Sequence, residues 1–348
     1  MLNRGIISAL FLAAGLSGAI GHAQDSLRLP AEKHLRNIRQ LTFGGENAEA
    51  YFSFAFDKLV FQSTRDSFEC DQIYSMGLDG KNLKLLSTGR GRTTCSFFLP
   101  GDSTIIYATT QMHDPQCPPR PDYSKGYIWA VYKSYDIVLA TAGGSILRPL
   151  TTTEGYDAEA TVSPAGDRIV FTSVRDGDLE LYSMKTDGSD VRRLTAELGY
   201  DGGAFYSPDG RQIVYRSHHP TDSAGIAEYK ALLNDGFVRP TTMEICTMNA
   251  DGSNKRVLTR LGAASFAPFY HPDGKHIIFA SNHKDPKGRN FDLFMISTDG
   301  EGLEQITFND TFDGFPMFDK SGSHLVFASN RHSSKKGETN IFIAEWVP

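Results

Sequence analysis

Apolar and polar residues alternate along this chain in short runs, and the runs recur. Between Gly155 and Asp201 the apolar stretches are Thr161-Val162-Ser163, Ile169-Val170-Phe171-Thr172-Ser173, Leu179 to Met184, and Val191-Arg192-Arg193-Leu194-Thr195. They are separated by Pro164-Ala165-Gly166-Asp167, Arg175-Asp176-Gly177-Asp178 and Thr186-Asp187-Gly188. β-Branched and aromatic residues suit a pleated, half-buried surface. Asp-Gly between apolar runs is the strongest short signal for a hairpin. The pattern predicts four short strands, a unit that cannot cover both of its own faces and must stack on copies of itself.

Those copies are present. The second strand recurs as Leu59-Val60-Phe61, Ile105-Ile106-Tyr107, Ile169-Val170-Phe171, Ile213-Val214-Tyr215, Ile277-Ile278-Phe279 and Leu325-Val326-Phe327. The turn before it recurs as Ser207-Pro208-Asp209-Gly210 and His271-Pro272-Asp273-Gly274, and the later turn as Asp79-Gly80, Asp187-Gly188, Asp251-Gly252 and Asp299-Gly300. Four-stranded blades repeat every ~40–50 residues. The intervals before Phe171 and before Phe279 each run about 20 residues longer than that, which predicts insertions at 111–132 and 218–242. Both follow a second strand, so both rise on the same face of the ring. A short helix is predicted over 226–233. The fold class is therefore all-β: a six-bladed propeller of four-stranded antiparallel blades over 35–348. The segment 35–42 matches a fourth strand with no blade before it, while the last repeat lacks one. This N-terminal strand is expected to complete the last blade and close the ring, removing two exposed edges.

Composition changes this picture little, except at the N-terminus. The net charge of −6 argues against a partner held through nucleic-acid phosphates. Arg4 followed by the apolar or small run Gly5 to Ile20 and by Gly21-His22-Ala23 has the form of a secretory signal peptide, 1–23, with a polar leader at 24–34. The mature protein is thus expected to be periplasmic or secreted, a monomer with no membrane span after cleavage. Export permits disulfides. Cys246 lies in a third strand and is expected to be a buried thiol. Cys70 and Cys95 start neighbouring strands of adjacent blades and are the expected pair, with Cys117 as the competing partner.

Ser207-Pro208-Asp209-Gly210, the run Tyr182-Ser183-Met184-Lys185-Thr186-Asp187-Gly188 and Gly155-Tyr156-Asp157 resemble the repeats of TolB-type six-bladed propellers, the PD40 family related to WD40. The resemblance covers residue 35 onwards. TolB proper is a periplasmic partner of an outer-membrane lipoprotein, and it carries an α/β domain ahead of its propeller. This sequence departs there, with only the leader 24–34 between the expected cleavage site and the first strand.

Candidate chemistry sits where the chain passes from blade to blade. Six places before each first turn stand Asn47, Thr93, Asp157, Asp201, Ser265 and Asp313; four places before stand Glu49, Cys95, Glu159, Gly203, Ala267 and Phe315. Both sets enter the innermost strands around the axis. The expectation is a channel-mouth ring of Asn47, Glu49, Asp157, Glu159, Asp201 and Asp313. In it Asp157, Asp201 and Asp313 would hold a divalent cation such as Ca²⁺, or the mouth would take a Lys, Arg or amino terminus of a partner, since clustered carboxylates are costly to leave unneutralised. As turn formers, the same Asp residues would instead bond their own backbone. His113, His218, His219, His283 and His332, with Arg65, Arg175 and Arg331, follow the second strands as solvated loop residues without a ligand motif. Arg65-Asp66 and Arg175-Asp176 have the look of turn ion pairs.

The sequence contains no Gly-x-Ser-x-Gly elbow and no His-Glu-x-x-His, the signatures of α/β-hydrolases and zinc proteases. The expected function is a binding module for an envelope protein or peptide. The alternative is a metal-dependent lyase or hydrolase acting on a polysaccharide or lactone at the axial mouth.

Overall fold

Every second strand reads as an unbroken apolar run because both of its faces are covered. Leu59, Val60 and Phe61, like Ile169, Val170 and Phe171, are completely buried. Blades stack face to face around an axis, so the alternation of a one-sided sheet is lost in the middle strands. The structure, a computed structural model, describes residues 27–333 and 335–348. The expected signal peptide lies outside the described residues.

Six four-stranded antiparallel sheets are arranged as blades. Their innermost strands are Glu46–Phe52, Thr93–Phe98, Asp157–Val162, Tyr200–Tyr206, Ser265–Tyr270 and Asp313–Phe318. The outermost strands of four blades are only two residues long, as at Arg192–Arg193. The last blade differs, because its outer strand is Leu35–Gln40 from the other end of the chain. Leu35 lies opposite Trp346 and Gln40 opposite Phe342. His34 stacks on Trp346 at 5.0 Å.

A latch repeated in all six blades shows that this closing strand is an ordinary fourth strand. After each outer strand a Ser or Thr hydroxyl accepts the amide N–H of the third strand: Ser87 from Ile73 at 3.0 Å, Thr195 from Leu181 at 2.8 Å, Thr259 from Ile245 at 2.8 Å. Thr151 and Thr307 do the same for Ile137 and Leu293. Thr42 does it for Ile341 at 2.9 Å. Each such bond contributes about 1 kcal/mol, and leaving the buried amide unpaired would cost more.

Both insertions rise on the same face and meet. Trp129–Ala130 from the first pairs antiparallel with Phe237–Val238 from the second. The second also carries the helix Ser223–Asn234, whose N-terminus is capped by the Asp222 carboxylate. Tyr229 on this helix donates its hydroxyl to the Gly199 carbonyl at 2.6 Å, docking the insertion on the fourth blade. The first insertion is tied down covalently, and here the expected cysteine pairing is corrected. Cys70 is bonded to Cys117, with Cα atoms 6.0 Å apart, and Cys95 is a free buried thiol. Cys95 turns towards the axis and away from Cys70, while the inserted loop carries Cys117 to it. Closing this loop, with a sequence separation of 47, contributes about 4 kcal/mol on a chain-entropy basis. Cys246 is the expected buried thiol.

Candidate functional site: an axial pocket beneath the paired insertions

The innermost strand of every blade is interrupted at one equivalent place. Its register against the second strand slips between Ala48 and Tyr51, Thr94 and Phe97, Ala158 and Thr161, Gly202 and Phe205, Phe266 and Phe269, and Gly314 and Met317. The residue inside each slip is left-handed: Glu49 (φ 54°), Cys95 (49°), Glu159 (57°), Gly203 (57°), Ala267 (51°) and Phe315 (53°). A bulge of this kind re-aims a side chain. Five of the six are not glycine, although an L-residue there costs roughly 1–2 kcal/mol. Such strain gathers at functional sites. All six line a small cavity on the axis, and Glu49, Cys95, Glu159 and Phe315 also line the larger axial pocket.

This splits the expected ring. The positions four before each turn reach the axis, as expected for Glu49 and Glu159. The positions six before do not act as an open ring of carboxylates. Asn47, Asp157, Asp201 and Asp313 are each about 1% exposed or less and are held within their own surroundings. Asp157 takes Arg175 at 3.0 Å, Asp201 takes His219 at 3.2 Å and Asp313 takes Arg331 at 2.9 Å. Asn47 donates to the Thr339 carbonyl at 2.7 Å and accepts the Ser63 hydroxyl at 2.8 Å. Burial pushes the His219 ring towards neutrality, but the Asp201 hydrogen bond and charge outweigh it and raise its pKa. Burial likewise opposes the Arg331 charge, and Asp313 and Glu32 more than restore it. The Arg175-Asp176 turn pair is also corrected, because Arg175 reaches Asp157 and Asp176 accepts the Tyr182 hydroxyl instead. Among the described residues no group of three or more His, Cys, Asp or Glu side chains is placed to hold a metal ion. Asp157 and Asp313 thus each have an arginine of their own and Asp201 a histidine, so each acid is met locally.

The axial pocket encloses about 280 Å³. On one side Glu159 is saturated: it accepts Thr172 at 2.7 Å, Tyr200 at 3.0 Å and the Gly203 amide at 2.8 Å, and it pairs with Arg216. The Arg216 guanidinium, 4.9 Å from the Trp129 ring and 5.4 Å from the Tyr200 ring, is buried. On the other side Glu49 is different. Its Oε2 is shielded from solvent and has no partner. Burial raises its pKa to about 7; the Cys95 thiol beside it works against this rise, and Glu159 adds to it. Burial, with Glu49 and Glu159 close by, pushes the Cys95 thiol well above its ordinary value. The remaining wall is mostly apolar, with aromatic rings beside Ala130, Val131, Leu179 and Val238. Phe315 lies 5.6 Å from Phe266 and 6.2 Å from Phe312, and Trp129 meets Phe266 edge-on at 6.1 Å.

The other end of the axis is lined by Phe54, Phe56, Pro164, Pro208, Pro272 and Met317 around a cavity of about 380 Å³, with Lys320 on its lining. Arg216 lies outside the expected ring, yet the sequence carries a signal for it. It is charged where the other five second strands have Gln62, Ala108, Thr172, Ala280 and Ala328.

A six-bladed propeller with one polar axial pocket is the class that fold and site define. The TolB β-propeller domain family, PD40, matches residues 120–236. TolB from Acinetobacter baumannii superposes with a TM-score of 0.55 at 18% identity over 87% of this chain and 64% of that one. An oligogalacturonate lyase in complex with manganese gives 0.53 at 14% identity, over 89% and 93%. A gluconolactonase from Xanthomonas campestris gives 0.57 at 13% identity, over 94% and 93%. No curated protein matches the sequence. The chain is a six-bladed β-propeller, similar in fold to that of TolB.

Proposed function

We propose that this propeller is an exported binding module of the cell envelope. In this reading its axial pocket takes one positively charged group presented by a partner protein or peptide. The observation that carries it is the buried, unpartnered Oε2 of Glu49. An unpaired buried carboxylate is costly, and a cation delivered to it removes that cost. Charge supports a single positive charge, because Arg216 is already matched by Glu159. The paired insertions stand at the pocket and would select what reaches it. No helix among the described residues is long and apolar enough to cross a membrane.

The test has two arms. Calorimetry with Nα-acetyl-lysine amide is expected to show binding that releases protons near neutral pH, and Glu49→Gln is expected to weaken it about tenfold or more. Photocrosslinking from position 129 in cells should capture an envelope protein through a basic segment. Equal binding by wild type and Glu49→Gln would sink the reading.

A further inference from the structure

The wall of the axial pocket carries more information than its charge. Hard metal ions need several oxygen ligands. Of the two carboxylates on the pocket, Glu49 has an unpartnered oxygen, Oε2, while Glu159 is occupied by four donors. A primary ammonium brings three N–H donors and a guanidinium five. Glu49 is the one unmatched charged acceptor facing them; the Thr94 and Tyr156 hydroxyls on the same lining are neutral and make weaker bonds, so these donors are poorly matched and costly to bury. The rings of Trp129, Tyr156, Phe266, Phe312 and Phe315 line the same pocket as Glu49. Aromatic faces attract a cation electrostatically without accepting conventional hydrogen bonds, and quaternary ammonium groups are recognised in this way. The volume, about 280 Å³, is roughly nine times that of a liquid water molecule (~30 Å³). That is room for several heavy atoms and far more than a bare ion fills.

We propose that the axial pocket selects a fully alkylated ammonium group, a trimethylammonium cation of the choline type, over primary amines, guanidinium groups and metal ions. This rests on the reading that the pocket takes one cation, and it replaces the lysine, arginine or amino terminus of a partner by an alkylated ammonium as that cation. Glu49 supplies the countercharge, the rings replace the water lost from the methyl groups, and no donor is left unpaired. Arg216 stays matched to Glu159 and presents no net positive charge that would repel the ligand.

The site carries its own reporter. Trp129 lines it and is one of two tryptophans in the chain; the other, Trp346, ends the strand Asn340–Trp346, against which the closing strand pairs. The full protein is titrated with choline, with its neutral isostere 3,3-dimethyl-1-butanol, with Nα-acetyl-lysine amide and with calcium, following Trp129 fluorescence and calorimetry. Choline is expected to bind, with the isostere and the lysine amide each at least about tenfold weaker and calcium without effect. Glu49→Gln, which folds without its buried charge, should weaken choline about tenfold, and Phe312→Leu should weaken choline more than the isostere. Phosphatidylcholine vesicles form a further arm. Displacement of choline by vesicles would identify a lipid headgroup as the source, and its absence a free solute; both outcomes support the shared chemistry. If the lysine amide binds as tightly as choline or tighter, the proposal is overturned while the single-cation reading survives; if the neutral isostere matches choline, charge is not recognised and both are overturned. If neither cation binds, both fall.

Discussion

The two mouths of the channel are made from the same six strands and differ in almost every other respect. At one end, the turns after the inner strands bring Phe54, Phe56, Pro164, Pro208 and Pro272 together with Met317 of an inner strand around an apolar hollow. At the other, the left-handed bulges aim Glu49, Cys95 and Glu159 at the axis, Arg216 crosses to Glu159, and Trp129 covers them. The repeat by itself would make both ends alike. Chemistry is confined to the end where the backbone is strained and where the two insertions pair, which is how a scaffold holds a buried charge cluster without spreading its cost.

The contrast is broken most directly by removing a charge from each end. Arg216→Ala leaves Glu159 buried without its cation and should cost about 3–5 kcal/mol, read from the urea midpoint. Lys320→Ala at the opposite mouth should stay within about 0.5 kcal/mol. Equal losses would show that the two ends are energetically alike.

Acid sharpens the difference next. The folded pKa of Glu49 is raised to about 7 from an ordinary 4.5. Below the lower value both folded and unfolded chains are protonated and no penalty exists. As pH rises to 7 the unfolded chain gives up its proton first, so stability should fall by about 3 kcal/mol and then level off. Glu49→Gln should match wild type at pH 4 and exceed it at pH 8. Asp292, raised to about 7 by its burial, then by Asp313 and Glu32, keeps its own slope in both proteins, so the difference curve isolates Glu49. A flat difference curve would place Glu49 in contact with water.

The smallest effects separate two bulges of nearly the same backbone. A Cβ added at Gly203 would lie 2.5 Å from Arg216 Nη1, so Gly203→Ala should cost about 1–3 kcal/mol and loosen the Glu159 pair. Ala267→Gly meets the same left-handed geometry without that neighbour, and should be neutral or gain less than about 1 kcal/mol in thermal unfolding. Similar values for both would mean that Arg216 yields freely.

Much of this architecture could be read from the sequence because it is local. Strand alternation, Asp-Gly turns and the orphan fourth strand at Leu35 depend on neighbours in the chain, and each predicted its element. Glu49 and Glu159 were placed at the axis by counting back from the turns. The same counting misjudged Asp157, Asp201 and Asp313, which lie only two residues earlier. A bulge between the two positions changes what each faces, and a left-handed Glu, Cys or Phe has no sequence signature comparable to glycine. Cys117 and the pairing of Trp129–Ala130 with Phe237–Val238 were equally invisible, since two-residue strands about a hundred residues apart announce nothing to each other.

The bulges also bear on how such a molecule can change. Glutamate, cysteine, glycine, alanine and phenylalanine all occupy the same backbone geometry here, with φ between 49° and 57°. Shape and chemistry are therefore uncoupled at these six places, like the tumblers of a lock set in one unchanging barrel. A descendant can exchange a tumbler for roughly the difference in left-handed strain, on the order of 1 kcal/mol, without moving a strand. Six such places with twenty side chains each give one fold a very large set of keys.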